Sequence, residues 1–340
     1  MRRVLPVVVF LLSIAAAAFA QQQQFADLGD IKLQSGEVLR NCRIGYRTYG
    51  QLNTDKSNVI LFPTWAGGKT EHMAQGIGAG RFADSTRYYV ITVDALSNGV
   101  SSSPSNSTQQ QRMKFPRITI RDMVETQHEL LTRVLHIQHV KAVMGISMGG
   151  MQTFQWMVSY PDFMDVAIPI VGSPRLDAYD LVHWQTQLDV IMDDPAWKNG
   201  DYTEEPARKF EVEFGAILLS TPEYYNTHTT RQQAIDALAN YAKSTESFDA
   251  NNKIRQVQAM MALDVSEPFG GSMEKAAAAV KARTLVIASK SDQTVTPQPA
   301  LDFARLMHAT VVELDNDCGH NAPACSEAEV AKAISDFLGH

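Results

Sequence analysis

The chain has 340 residues, 45% of them hydrophobic, with 30 lysines and arginines against 37 aspartates and glutamates for a formal net charge of −7. That length suffices for one large α/β domain with an insertion, or for two ordinary domains. The acidic balance argues against nucleic acid or an anionic membrane surface as partner.

The first element is Met1-Arg2-Arg3, an apolar stretch from Val4 to Ala17, and Ala18-Phe19-Ala20. A basic start, a greasy run too short to span a bilayer and a small-x-small site predict a secretory signal over residues 1–20. Cleavage would leave no membrane anchor, and the expected location is periplasmic or secreted. In such an oxidising compartment the three cysteines allow one disulfide. Cys318 and Cys325 bracket His320 in a short loop and are the expected pair, with Cys42 a buried free thiol in an early strand-like segment; the alternative is three reduced small hydrophobes.

Apolar, β-rich runs recur at Val59 to Pro63, Tyr88 to Val93, Lys141 to Gly145, Val166 to Val171, Thr284 to Ala288 and Thr310 to Leu314. Most are continuous, as expected of strands covered on both faces. Helical patterns alternate with them: an apolar stripe from Ile120 to Leu135, a helix from Gln152 to Tyr160 ending at Pro161, and a capping box of Ser326 and Glu329 opening a C-terminal helix. Alternation of this kind predicts a mostly parallel central sheet flanked by helices. The interval 174–281 breaks the rhythm with helical, aromatic-rich stretches and no convincing strand, and reads as a helical lid inserted into a core of 21–173 and 282–340.

The pattern Gly145-Ile146-Ser147-Met148-Gly149 follows a predicted strand and precedes a predicted helix. In that context it reads as a nucleophile elbow, a strained turn that pushes a serine hydroxyl out of the fold. Serine at its ordinary pKa is a poor nucleophile, so a base must take its proton and a carboxylate must hold the base. With such an elbow the partners follow in the order serine, acid, histidine, on loops after late strands. Asp292, after the run Thr284 to Ala288, and His320, after the run Thr310 to Leu314, satisfy both order and position. Asp94 and Asp317 are the alternative acids. His136 and His139 have a spacing that could suggest a metal site, but no nearby acidic or cysteine partner supports one; no metal and no cofactor are expected. An oxyanion hole needs backbone amides, expected from Met148 and from the loop Thr64-Trp65-Ala66-Gly67-Gly68, with Trp65 the second donor. Gly76-Ile77-Gly78-Ala79-Gly80 lacks both a preceding strand and a Walker lysine, and reads as a surface turn.

The chain resembles the homoserine O-acetyltransferase-like branch of the α/β-hydrolase superfamily. The likeness lies in Ile118-Thr119-Ile120-Arg121-Asp122, in Ser147-Met148-Gly149-Gly150-Met151-Gln152, in Trp156 with Tyr160-Pro161, and in Tyr46 to Gly50, Asp194 to Trp197, Phe248 to Asn251 and Gly319-His320. It implies an α/β-hydrolase fold with a helical lid, an acyl-enzyme on Ser147, His320 as base, Asp292 as acid, and often a homodimer through the lid. Members that acylate homoserine resemble one another in an aspartate directly after the histidine and a Tyr-Arg-Ser run before Pro-Glu. This chain has Asn321 and Leu219-Ser220-Thr221-Pro222-Glu223 instead. Asn321 is therefore a substrate-binding candidate that lacks the charge an amino-acid ammonium would need. The expectation is an exported hydrolase of small-molecule esters or thioesters. The alternatives are an O-acyltransferase using acetyl-CoA and a non-catalytic binding protein on the same fold.

Overall fold

The computed structural model describes residues 22–203, 206, 209–241 and 248–339. The predicted signal segment, 1–20, lies outside the described residues. Among those residues the strands form one eight-stranded sheet: β1 (Gln24–Lys32), β2 (Val38–Tyr49), β3 (Val59–Pro63), β4 (Tyr89–Val93), β5 (Val140–Ile146), β6 (Met164–Ile170), β7 (Arg283–Ser289) and β8 (Thr310–Leu314), in the order β1-β2-β4-β3-β5-β6-β7-β8. The pairs β1–β2 and β2–β4 are antiparallel, and all the others are parallel.

The central strands are continuous apolar runs because both faces are covered: β3 is buried at every position. At the margins the pattern changes. In β1 buried and exposed residues alternate between Gln24 and Leu28, and β8 buries only Leu314 fully. The strand-like segment around Cys42 is β2, where Cys42 is buried as a free thiol, while β1 and its pairing with β2 have no counterpart in the sequence reading because a polar face and Gly29 hide the period.

Helix α1 (Ile120–Glu129) is opened by a reciprocal box in which the Thr119 hydroxyl accepts from Asp122 N and the Asp122 carboxylate accepts from Thr119 N. It runs into a wider π-type turn, Leu130–Val134. Helix α2 (Met148–Ser159) begins directly after Ser147, four residues earlier than expected, because Gly149 and Gly150 mask its start.

Between β6 and β7 lie α3 (Ala178–Met192), α4 (Lys209–Leu219), α5 (Pro222–His228), α6 (Arg231–Tyr241), α7 (Ala250–Met261) and α8 (Met273–Ala279). Among the described residues this interval contributes no strand to the sheet, only an isolated bridge between Arg175 and Asp264. Helix α9 (Gln298–Met307) joins β7 to β8, and α10 (Ala322–Cys325) and α11 (Glu327–Gly339) close the chain. The expected Ser326–Glu329 box does not form. The Ser326 hydroxyl accepts from Asn316 Nδ2 at 3.1 Å instead, which ties the start of α11 to the loop after β8.

Candidate active site

The turn between β5 and α2 is tight enough to dictate its glycines. A Cβ on Gly145 would lie 2.2 Å from backbone atoms of Gly149, one on Gly149 would lie 2.7 Å from Pro63 O, and one on Gly150 would lie 2.9 Å from Ile170 O. Ser147 itself has φ 57° and ψ −121°, a left-handed strained conformation for a residue with a side chain. It is held there by its amide, which donates to Ile170 O at 2.9 Å, and by the start of α2, where Met151 N donates to Ser147 O at 3.0 Å.

Asp292 and His320 arrive from the loops after β7 and β8. The distance from His320 Nδ1 to Asp292 Oδ2 is 2.6 Å, and from His320 Nε2 to Ser147 Oγ it is 2.9 Å. A carboxylate only accepts, so Nδ1 carries the proton and donates to Asp292, which leaves the Nε2 lone pair to accept from the serine hydroxyl. The other Asp292 oxygen accepts from Thr294 N at 2.8 Å and Val295 N at 3.0 Å, so the carboxylate cannot rotate away. Asp292 and His320 are 5% and 8% exposed, which keeps competing water from their shared bond.

The loop carrying His320 is pinned from two sides. Cys318 and Cys325 are joined by a disulfide, and Gly319 packs so closely on Leu219 and Ser220 that a Cβ would lie 3.0 Å from Leu219 O. Behind the acid loop, α3 supplies a second buried pair. His183 Nε2 lies 2.9 Å from Thr294 O, and the Asp180 carboxylate accepts from Thr296 N and from its hydroxyl. Burial lowers the pKa of His183 and raises that of Asp180.

The alternative acids have other duties. Asp94 is buried and accepts from Thr70, Asn98 and Gln23, knotting the loop after β4 to the residue just ahead of β1. Asp317 presents its carbonyl to the Thr221 hydroxyl. His139 has an acidic neighbour after all, distant in the chain: Asp165 Oδ1 lies 2.8 Å from its Nε2, at an exposed position.

Ser147 and His320 open into a cavity of about 800 Å³ whose lining includes Phe62, Trp65, Trp184, Leu218, Phe248 and Val257. Charged groups in that lining are Arg81, Glu327 and Lys253, and Arg81 pairs with Glu327. Gly76, first of the glycine-rich turn, also lines it. Met148 is buried as the first residue of α2, where amides lie outside the intrahelical ladder. Trp65 lines the cavity, with its indole against Gly68. Asn321 is exposed, lines the cavity and donates from Nδ2 to Ser220 Oγ at 3.3 Å. Sequence reasoning assigned no role to Gln152 or Gln256. Both are buried side chains bonded to the loop Thr64–Gly68; the available signal for Gln152 was a polar residue between Met148 and Trp156 on one helix face, whereas α7 buries Asn251, Asn252 and Arg255 too and so does not single out Gln256.

This geometry is that of a serine acyl-transfer centre on a mostly parallel sheet, and comparison with known proteins agrees. The family model of the alpha/beta hydrolase fold matches residues 58–324, and the chain belongs to that family. It is 32% identical to an ethyl acetate hydrolase of Pseudomonas veronii over 295 residues, 84% of each chain. It is also 30% identical to a homoserine O-acetyltransferase of Zymomonas mobilis over 353 aligned positions, 91% of this chain and 94% of that one. The solved structure of an acetylester hydrolase from Corynebacterium glutamicum superposes with a TM-score of 0.87 at 26% identity, covering 94% of this chain and 96% of the other. Within the superfamily the chain therefore sits in the homoserine O-acetyltransferase-like branch, among esterases and acetyltransferases, and is a serine hydrolase or acyltransferase.

Proposed function

We propose that the protein is an exported hydrolase of small, uncharged carboxylic esters that works through an acyl-enzyme on Ser147. The observation that carries the choice of hydrolase over transferase is the contact between Asn321 and Ser220. These are two positions where the homoserine-acylating members resembled above carry an aspartate and the arginine of the Tyr-Arg-Ser run. Here a neutral amide meets a neutral hydroxyl beside His320. A zwitterionic acceptor entering a partly desolvated pocket would find neither charge compensated there.

In this reading Ser147 Oγ attacks the ester carbonyl while His320 Nε2 takes its proton, and Asp292 stabilises the imidazolium that forms. The carbonyl oxygen gains negative charge and is met by the amides of Met148 and Trp65. Collapse of the tetrahedral intermediate breaks the ester C–O bond, and the imidazolium returns its proton to the departing alkoxide. Water then repeats the sequence on the acyl-enzyme, with His320 again as base, and releases the acid. In this reading the inserted helices act as a lid, with Trp184 of α3, Leu218 and Leu219 of α4 and Val257 of α7 lining the cavity around the acyl group.

Incubating the purified protein with a short acyl ester, with and without homoserine, tests the assignment. Free acid is expected to form at the same rate in both arms. Acyl-homoserine formed faster than free acid would reverse it in favour of the transferase. The ester link between Ser147 and the acyl group is expected as a mass increment on the peptide that contains Ser147 after rapid acid quenching.

Export rests on the pattern of residues 1–20 together with the Cys318–Cys325 bond, a linkage that persists in oxidising compartments. The mature protein recovered from the periplasm or medium is expected to begin at Gln21. Recovery of the full-length chain from the cytoplasm alone would refute that part of the proposal.

A further inference from the structure

We propose that Gln152 is a positioning residue that aims the Trp65 amide at the oxyanion, acting through the Thr64 carbonyl. The proposal rests on the serine acyl-transfer reading above and extends it to a side chain that touches neither substrate nor triad.

The argument starts at an indole. Trp156 Nε1–H can only donate, and its partner is Gln127 Oε1 at 2.8 Å. With its oxygen committed, Gln127 turns its amide nitrogen to Gln152, 2.6 Å away, so Gln152 must present Oε1 there. That leaves the Gln152 Nε2 group facing Thr64 O at 3.0 Å and Met148 O at 3.1 Å. Trp156, Gln127, Gln152 and Thr64 are all buried, at most 1% exposed, so no solvent competes for these bonds. The orientation of one amide is thus dictated two side chains away by a donor that cannot be reversed.

What Gln152 holds is a peptide plane. The Thr64 carbonyl and the Trp65 N–H belong to one planar trans unit and point in opposite directions. Thr64 is already anchored upstream, since its amide donates to Val93 O at 3.0 Å and its hydroxyl accepts from Ala95 N at 3.0 Å. Downstream, Gly68 N donates to Trp65 O at 3.0 Å and Gly67 N donates to Gln256 Oε1 at 2.8 Å. The freedom left between these anchors is rotation of the Thr64–Trp65 plane itself. Drawing the Thr64 carbonyl towards α2 removes it and turns the Trp65 N–H the other way. Without that bond a buried carbonyl lacks its donor, and rotation of the plane to find another would carry the N–H off the oxyanion.

The test compares wild type with Gln152→Met, which keeps length and removes both donors, on a p-nitrophenyl acetate assay. A lost oxyanion donor acts in the transition state, so kcat is expected to fall about 10- to 100-fold with KM within about twofold of wild type. The acidic limb of the pH–kcat/KM profile is expected to stay where it is, because the Asp292–His320–Ser147 line is untouched. A kcat within about threefold of wild type in the folded variant, or a loss matched by a shifted acidic limb, would overturn the proposal. Should the variant not fold, wild type alone still decides. After phosphonylation of Ser147 with diethyl p-nitrophenyl phosphate, a crystal structure is expected to show the phosphoryl oxygen about 3 Å from Trp65 N with the Gln152–Thr64 bond kept. A phosphoryl oxygen held without Trp65 N overturns the proposal. Ser147→Ala separates the two levels: if it retains turnover the serine reading fails, whereas an inactive Ser147→Ala beside an unimpaired Gln152→Met defeats the Gln152 inference alone.

Discussion

His320 Nε2 lies 2.9 Å from Ser147 Oγ although 173 positions separate the two residues in the chain. The contact exists because β5 and β8 run parallel in one sheet, so the turns that follow them open on the same side. Ser147→Ala is expected to abolish ester turnover while leaving the thermal midpoint close to wild type. Asp292→Asn is expected to lower kcat by about 10⁴-fold with the fold intact, because an amide at that place no longer selects the Nδ1–H tautomer. Parallel p-nitrophenyl acetate assays and thermal melts check both, and an active Ser147→Ala protein would mean that the nucleophile is elsewhere.

Acid should weaken the fold through His183. Its burial disfavours the charged imidazole, an effect partly opposed by the Thr294 carbonyl and by Asp292 and reinforced by His320. The unfolded chain takes up this proton at about pH 6.5, whereas the folded chain resists it, so below that pH the unfolded state binds more protons. Stability is therefore complete above the ordinary histidine range and declines as pH falls through it towards the lower folded value. The thermal midpoint is expected to drop between about pH 7 and pH 5, and His183→Gln, which keeps a donor for Thr294 O, is expected to flatten that slope. An identical slope in the variant would assign the acid sensitivity to other groups.

The disulfide offers a control on the histidine loop. It closes a loop of sequence separation 7 that contains His320 and Asn321, and Cys325 is exposed enough for a reductant to reach. Chain entropy for so short a loop gives a stabilisation of roughly 2 to 3 kcal/mol. Mild reduction is expected to lower the thermal midpoint and kcat together, and reoxidation to restore both. Cys42 serves as an internal reference: burial pushes its thiol up to about 12, so iodoacetamide should modify the exposed Cys325 in the reduced native protein and Cys42 only after unfolding. Modification of Cys42 at the same rate as Cys325 would contradict its burial in β2.

Much of this site was legible in the sequence, and the limits have physical causes. The elbow could be read because Gly145, Ser147 and Gly149 sit between two unmistakable periodicities, and strand-end position then selected Asp292 and His320. Strand β1 and its pairing with β2 escaped because a marginal antiparallel ribbon buries one face and breaks its own alternation at a bulge near Gly29. The Ser326–Glu329 box failed because Asn316, ten residues earlier, offers the hydroxyl a partner that local spacing does not reveal. Gln127 and Gln152 illustrate the same limit more sharply. Each sits on a helix face otherwise suited to apolar burial, and their meaning depends on Thr64 and Trp156, which no local pattern brings together.

The glycines of the elbow lend themselves to a graded test, because their neighbours are backbone and cannot swing aside. Gly145→Ala would place a methyl 2.2 Å from Gly149 C and O, far inside contact distance, and Gly149→Ala would place one 2.7 Å from Pro63 O. Relief in either case means separating α2 from β5 or β3, and with it moving Ser147, whose φ of 57° is held by that packing. Both substitutions are expected to cost about 3 kcal/mol or more, with Gly145→Ala the worse of the two. Gly36→Ala is a useful comparison: φ is +85° there, but nothing lies within 4 Å of the added methyl, so its cost reflects backbone strain alone and is expected to be about 1 kcal/mol. Urea unfolding of the three variants measures the order directly. If Gly145→Ala proved as mild as Gly36→Ala, the close approach of β5 to α2 that forces the serine outward would be wrong.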